Sequence, residues 1–310
     1  MTLIPFRVFL FWLILLSPSV MASGQKGSHF SFELKEKSKR VESTNFSSYV
    51  DPKIGSEGLG RVFIGPSTPF GMVKPSPDCT ADPNSGWLPM PAQVNGFAQV
   101  HVSGTGGGPK YGNILVTPFC NGIDKINHID YRKDEEIKLG YYSTTFQNSG
   151  IKTEITTAPR ASFYKFTYPK ESLKSLMIDA GFFLGESPIP DAREAQQFVG
   201  SEIRIVSDTQ IEGYSRIRGG WNNGKAYTVY FFAELDRPFV EWNTWKGTKI
   251  SKEAIQFDSY QKTGALLRFS DKDSVVNLKI GISFISSAKA HENLKRDITH
   301  WSFNEVLNNL

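Results

Sequence analysis

Val276-Asn277-Leu278-Lys279-Ile280-Gly281-Ile282-Ser283-Phe284 alternates without a break. Val276, Leu278, Ile280, Ile282 and Phe284 fall on one side of an extended chain, and Asn277, Lys279, Gly281 and Ser283 on the other. Successive side chains of a strand point to opposite faces, so this period of two predicts a β-strand with one face in and one face out. Working outward, residues 151–158, 161–168, 203–206, 227–234 and 265–269 read the same way, with Gly, Asn, Asp or Pro between most of them. Many short strands with turn signals and few helices predict an all-β chain folded as a large antiparallel β-sandwich. Between Tyr49 and about Asp124, glycine and proline are dense and no period is regular. That stretch predicts loops with short strands, ordered by what they pack against.

The composition is that of a globular protein: 39% hydrophobic and 21% charged over 310 residues, which excludes a disordered chain. The 23 Phe, 11 Tyr and 6 Trp suit half-buried pleated surfaces. They also suit sugar binding, because a ring packs on the apolar C–H face of a pyranose. A net charge of +4 is small for this length, and no basic cluster is interleaved with aromatics, so no nucleic-acid partner is expected.

The first residues give the destination. Arg7 precedes the apolar run 8–16, Pro18 breaks it, and Val20-Met21-Ala22 puts small residues at the exit. Such a run is too short for roughly 30 Å of hydrocarbon but suits the core of a signal peptide. Residues 1–22 therefore read as a signal peptide and 23–47, polar and rich in Ser and Lys, as a flexible tether. No later run is long enough for a membrane span, so the expected location is secreted or periplasmic. Cys79 and Cys120 are the only cysteines, too few for a disulfide framework. They read as two free buried thiols, with a single bridge as the alternative.

At the C-terminus, Ser302 and Glu305 have capping-box spacing, and Phe303, Val306, Leu307 and Leu310 follow at i, i+3, i+4 and i+7. This predicts the start of an amphipathic helix, which either docks on the sandwich or continues into a helical domain.

Two glycine-rich loops stand out, at 50–73 and 96–114. Such glycine density marks tight turns or close approach to another surface. A phosphate cradle is excluded for the second loop because no Gly-Lys-Ser/Thr follows. Ser103 lies two residues from His101, but with no identifiable orienting acid the pair is weak evidence for a nucleophile. Asp78, Glu154 and Asp179 fit no catalytic motif and read as solvated or loop-capping acids.

The phrases VDPKIGSEGLG (50–60), PSTPFGMVKPSPD (66–78) and GFAQVHVSGTGGGPKYGNILVTP (96–118) resemble successive signatures of glycoside hydrolase family 92. GYYSTTFQNSGIKTEITTAPRASFYKFTYP (140–169) and GISFISSAKAHENLKRDITHWSFNEVL (281–307) continue the resemblance in the family's order. The resemblance implies an exo-acting α-mannosidase whose N-terminal β-sandwich, a supersandwich, precedes a helical (α/α) toroid. It places the sandwich domain at 48–286 and a helical linker, the start of the catalytic domain, at 287–310. It implies an inverting, calcium-dependent enzyme acting on mannose-containing glycans. Both catalytic carboxylates and the calcium ligands would lie in the helical domain, leaving no catalytic or metal-binding residue in this chain. The helical catalytic domain would then be missing or separately encoded, and the chain alone inactive.

By position in the family, Gly60 and Arg61 fall where the first loop reaches the sugar pocket, and Trp87 where an aromatic lines the terminal mannose. His101, Ser103, Gly104 and Thr105 fall against the domain junction. The other readings are a core aromatic for Trp87, an interdomain ion pair for Arg61 and a structural histidine for His101. The rival function is a stand-alone, non-catalytic carbohydrate-binding module.

Overall fold

The computed structural model describes residues 46–310, apart from 59–60, 105–107, 188–193 and 221–222. The signal peptide and nearly all of the tether lie outside the described residues, as do Gly60 and Thr105. The described residues form sixteen strands. In chain order these are β1 (Ser76–Cys79), β2 (Gln93–Ala98), β3 (Leu115–Phe119), β4 (Asp130–Lys138), β5 (Tyr141–Phe146) and β6 (Lys152–Thr157). Next come β7 (Ala161–Thr167), β8 (Ser175–Asp179), β9 (Gln196–Ile205), β10 (Gln210–Gly219) and β11 (Tyr227–Leu235). The last are β12 (Glu241–Lys246), β13 (Lys249–Ser251), β14 (Ile255–Asp258), β15 (Thr263–Arg268) and β16 (Val275–Ser283). Helices α1 (Ser287–Asp297) and α2 (Phe303–Asn308) follow.

Every ladder between these strands is antiparallel. One layer runs β13-β12-β15-β8-β3-β2, with β1 added on β2, and the other β4-β5-β6-β7-β16-β11-β10-β9-β14. Among the described residues, their ladders meet where Gln93 and Val94 of β2 pair with Tyr131 and Asp130 of β4. The layers then face each other over an aromatic core. Phe97 of β2 stacks on Phe146 of β5 at 5.9 Å and meets Tyr142 at 6.0 Å edge-on. The chain is thus an all-β, antiparallel β-sandwich with a short C-terminal helical segment.

Val276, Leu278, Ile280 and Ile282 enter this core with no exposed surface, as their alternation predicts. Phe284 does not join them. The ladder ends at Ser283, whose hydroxyl accepts the Ile285 N–H, and Phe284 is 51% exposed. The opposite face of β16 is covered by α1. Ser286 caps that helix by accepting the Lys289 N–H at 3.1 Å. Gly281 lets the helix come close, since a Cβ there would lie 2.7 Å from Cβ of Leu294 and against the Ala290 carbonyl. Lys279, on the same face, is buried, reaching Glu234 at 3.2 Å and the Trp301 ring at 3.8 Å.

The predicted terminal helix is α2, with Ser302 as its N-cap accepting the Glu305 N–H. It docks: Phe303 and Val306 are buried, and the Phe303 ring meets Phe163 of β7 at 5.5 Å. The irregular stretch after Tyr49 supplies β1, β2 and β3, which form the end of the first layer beside its junction with β4. Cys79 is buried and Cys120 half-buried, and both are free thiols. No helix among the described residues is long and apolar enough to cross a membrane.

Candidate functional site

The loop between β2 and β3 leaves the sheet as a hairpin stem. Gln99 donates its N–H to the Asn113 carbonyl, Gly112 donates to Val100, and His101 bridges Tyr111. His101 anchors the stem. Its Nδ1 lies 2.7 Å from the Lys74 carbonyl, an acceptor only, so this nitrogen donates. Its Nε2 lies 2.9 Å from Oδ1 of Asp78, whose other oxygen accepts the Ala98 N–H at 2.7 Å. Both side chains are buried. His101 is therefore a structural histidine by its contacts, and Asp78 is neither solvated nor a loop cap. Glu154 instead pairs with Lys165 at 2.9 Å, and Asp179 caps a loop through the Gly181 N–H at 2.8 Å.

The first glycine-rich loop meets this stem directly. Gly104 donates its N–H to the Arg61 carbonyl at 3.1 Å, and the Phe63 ring lies parallel to the His101 ring at 6.5 Å. Arg61 is half-buried with φ of 62°, a left-handed turn, while Ser103 and Gly104 are exposed. Gly86, at φ of 87°, lies under the buried pair, where a Cβ would come within 2.8 Å of Asp78 and 2.9 Å of His101. Arg61, His101, Ser103, Gly104 and the Gly86-Trp87 step are thus brought together.

Trp87 faces inward, with 4% of its surface exposed. Its indole N–H donates to Glu135 at 3.1 Å, and the Arg132 guanidinium lies 5.7 Å from its ring centre. Glu135 also accepts from the Tyr142 hydroxyl at 2.6 Å and pairs with Arg132, which donates to the Leu88 carbonyl. Burial, then the adjacent Glu135 charge, pushes the Tyr142 hydroxyl well above its ordinary value, so it remains a donor. A bulge in β4 between Lys133 and Glu136, with Asp134 at φ of 51°, accompanies the inward turn of Glu135. No sequence signal marked this network, because 130–138 reads as a solvated charged run.

Beside His101 lies a cavity of about 410 Å³, whose lining includes Met72, Lys74, Tyr111, Tyr227 and Phe284. Tyr227 donates its hydroxyl to Asn113 at 3.0 Å and meets the Tyr111 ring edge-on at 5.9 Å. Apolar side chains are exposed on the surrounding chain, among them Phe70, fully exposed, and Ile285 at 73%. Among the described residues, no cluster of three or more His, Cys, Asp or Glu side chains is placed to hold a metal ion.

A family GH92 α-mannosidase from Bacteroides thetaiotaomicron shares this architecture with a TM-score of 0.74 at 25% identity, over 85% of this chain and 36% of that one. The family GH92 inverting mannosidase from Bacteroides thetaiotaomicron VPI-5482 gives a TM-score of 0.67 at 21% identity, over 86% of this chain and 35% of that one. A curated relative, the uncharacterized secreted glycosidase of Arthroderma benhamiae, is 27% identical over 284 residues. That alignment takes in 83% of this chain, which spans 36% of the relative's length. Residues 49–283, from the first glycine-rich loop to the end of β16, match the glycosyl hydrolase family 92 N-terminal domain. The chain that folds into these two layers and carries these two loops belongs to that family.

Proposed function

We propose that this chain is the sandwich part of an exported, calcium-dependent, inverting α-mannosidase that trims mannose-containing glycans. Its two glycine-rich loops form one wall of the sugar pocket, and a helical catalytic domain forms the rest. The observation that carries this reading is the family match over 49–283, with Arg61 and Gly104 of the two loops hydrogen bonded to each other. The secreted relative and the mannosidase neighbours support it.

Inversion requires one carboxylic acid to protonate the leaving oxygen and a second carboxylate to activate water, about 6.5–9.5 Å apart. Two buried acids beneath the loops are already engaged, Asp78 by His101 and Ala98, and Glu135 by Trp87, Arg132 and Tyr142. They hold the loops, while the exposed Ser103 and the Arg61 turn are offered to substrate. Trp87 has little surface to offer a sugar and acts from beneath, keeping the 84–88 segment in place. Calcium, when bound, would hold vicinal mannose hydroxyls through oxygen ligands. Among the described residues no cluster of three or more His, Cys, Asp or Glu is placed to hold a metal ion, and we assign those ligands to the helical domain. Exposed Phe70, Phe284 and Ile285 fit the surface on which that domain sits.

The test uses an aryl α-mannoside, with the chain alone and joined to the helical domain of a close relative. Release of mannose only by the joined protein supports the proposal. Hydrolysis by the chain alone would place acid and base within it and defeat the assignment. A joined protein that folds but stays inactive, with glycan binding retained by the chain, would favour the stand-alone binding module.

A further inference from the structure

Beside the two-pair junction of β2 and β4 lies a cavity of about 370 Å³ that shares no residue with the loops described above. Its floor is apolar and buried, built from Val94, Phe119 and Phe146. Its rim carries the carboxamides of Asn121, Asn127 and Asn148, all exposed. The turn bearing Asn148 is fixed, because Asp130 accepts the N–H groups of Asn148 and Ser149 at 2.9 Å each and that of Tyr131 at 2.7 Å. On the opposite wall the His128 ring stacks on Phe119, with centroids 3.5 Å apart, and its Nε2 meets the Lys125 carbonyl at 2.9 Å. Burial holds the His128 pKa below its ordinary value, so the ring is neutral at pH 7 and its Nδ1 is an acceptor. The Ser149 hydroxyl, on the same lining, is buried and has no hydrogen-bond partner.

This chemistry narrows the ligand. No Lys or Arg lines the cavity, so a phosphate or carboxylate finds no countercharge. The only lining carboxylate is engaged by three backbone donors, so a cation gains little. The closed His128–Phe119 stack leaves no slot for a flat aromatic ring. What remains is a neutral, hydroxyl-rich molecule, and the volume lies at the small end of ligand sites, about 300–1,000 Å³. We propose that this cavity binds one neutral pyranose, held through its hydroxyls by the exposed carboxamides of Asn121, Asn127 and Asn148.

Cys120 lies on the lining and is half-buried, whereas Cys79 is 2% exposed, so thiol labelling of the whole chain reports on the cavity. Methyl α-mannoside should slow labelling of Cys120 saturably in the millimolar range, and calorimetry should give the same midpoint. Asn127→Ala and Asn148→Ala should each weaken binding about three- to tenfold, the loss of one or two hydrogen bonds. Both residues are exposed, so folding should survive. Glucuronate, with its charge, should bind far less well. Absence of both protection and heat at about 100 mM sugar would overturn the proposal, since a site that weak has no use for a ligand. So would protection unchanged in both variants, or equal protection by glucuronate.

Discussion

Nε2 of His101 stands 2.9 Å from Oδ1 of Asp78, and neither side chain exposes any surface. The pair ties β1 to the stem of the second glycine-rich loop, and Gly86 passes directly beneath it. Removing one member of a buried hydrogen-bonded pair leaves the other unsatisfied, at a cost of about 3–5 kcal/mol. Asp78→Ala and His101→Ala should each lower stability by that amount in urea denaturation. Amide exchange should quicken first in residues 99–104, where the stem loses its anchor.

Helix α1 depends on the absence of a side chain at Gly281. A Cβ there would press on Leu294 and the Ala290 carbonyl, and neither backbone nor helix can give way without lifting α1 from β16. Gly281→Val should destabilise by about 1–3 kcal/mol, the usual cost of overpacking. Calorimetry should show a lower Tm. An unchanged Tm would mean that the helix contributes little to the sandwich.

Asp179 gives the chain a pH dependence of definite sign. Burial, only partly offset by Lys262 and by the Gly181 N–H, raises its pKa to about 6, against about 4 in an unfolded chain. The folded chain therefore holds this proton more tightly, so the contribution of Asp179 to stability is fully present below about pH 4 and is lost as pH rises through about 6. Asp179→Asn keeps the acceptor for Gly181 and removes the charge. It should stabilise by about 1–2 kcal/mol at pH 7, a figure reduced because Asp179 is half-buried rather than fully buried. At pH 4.5 the gain should shrink, as shown by urea titrations at the two pH values.

The strands were legible where the face toward the aromatic core is apolar and the other face carries polar or small residues. Val276–Ile282, the 161–168 run and the 227–234 run show their period for that reason, even though both faces are largely buried. What covered the other face was not legible, since Gly281 and Lys279 read as solvent-facing yet lie under α1 and Trp301. Strand β4, with sequence DYRKDEEIK, was missed because its bulge sends one acid of a charged run inward. The order of the two loops could be read from their glycines and family phrases. The engagement of Trp87 by Glu135 could not, since 48 residues separate them and neither belongs to a local motif.

Arg61 and Trp87 separate pocket chemistry from packing. Trp87 is buried and hydrogen bonded to Glu135, so Trp87→Ala should cost about 3–5 kcal/mol through the cavity it leaves and the orphaned carboxylate. Any loss of turnover in that variant then follows loss of fold. Arg61 is half-buried at φ of 62°, a conformation that glycine adopts without strain. Arg61→Gly should therefore relieve backbone strain while removing a cationic donor from the loop proposed to face substrate. In the chain joined to a helical domain, it should lower kcat/KM on an aryl α-mannoside roughly tenfold or more, the usual worth of one charged hydrogen bond. Ser103→Ala should lower it by a smaller factor, about two- to tenfold, because its hydroxyl is neutral. Rates that match the parent in both variants, with urea midpoints unmoved, would take the two loops out of the sugar pocket and leave them as a docking surface alone.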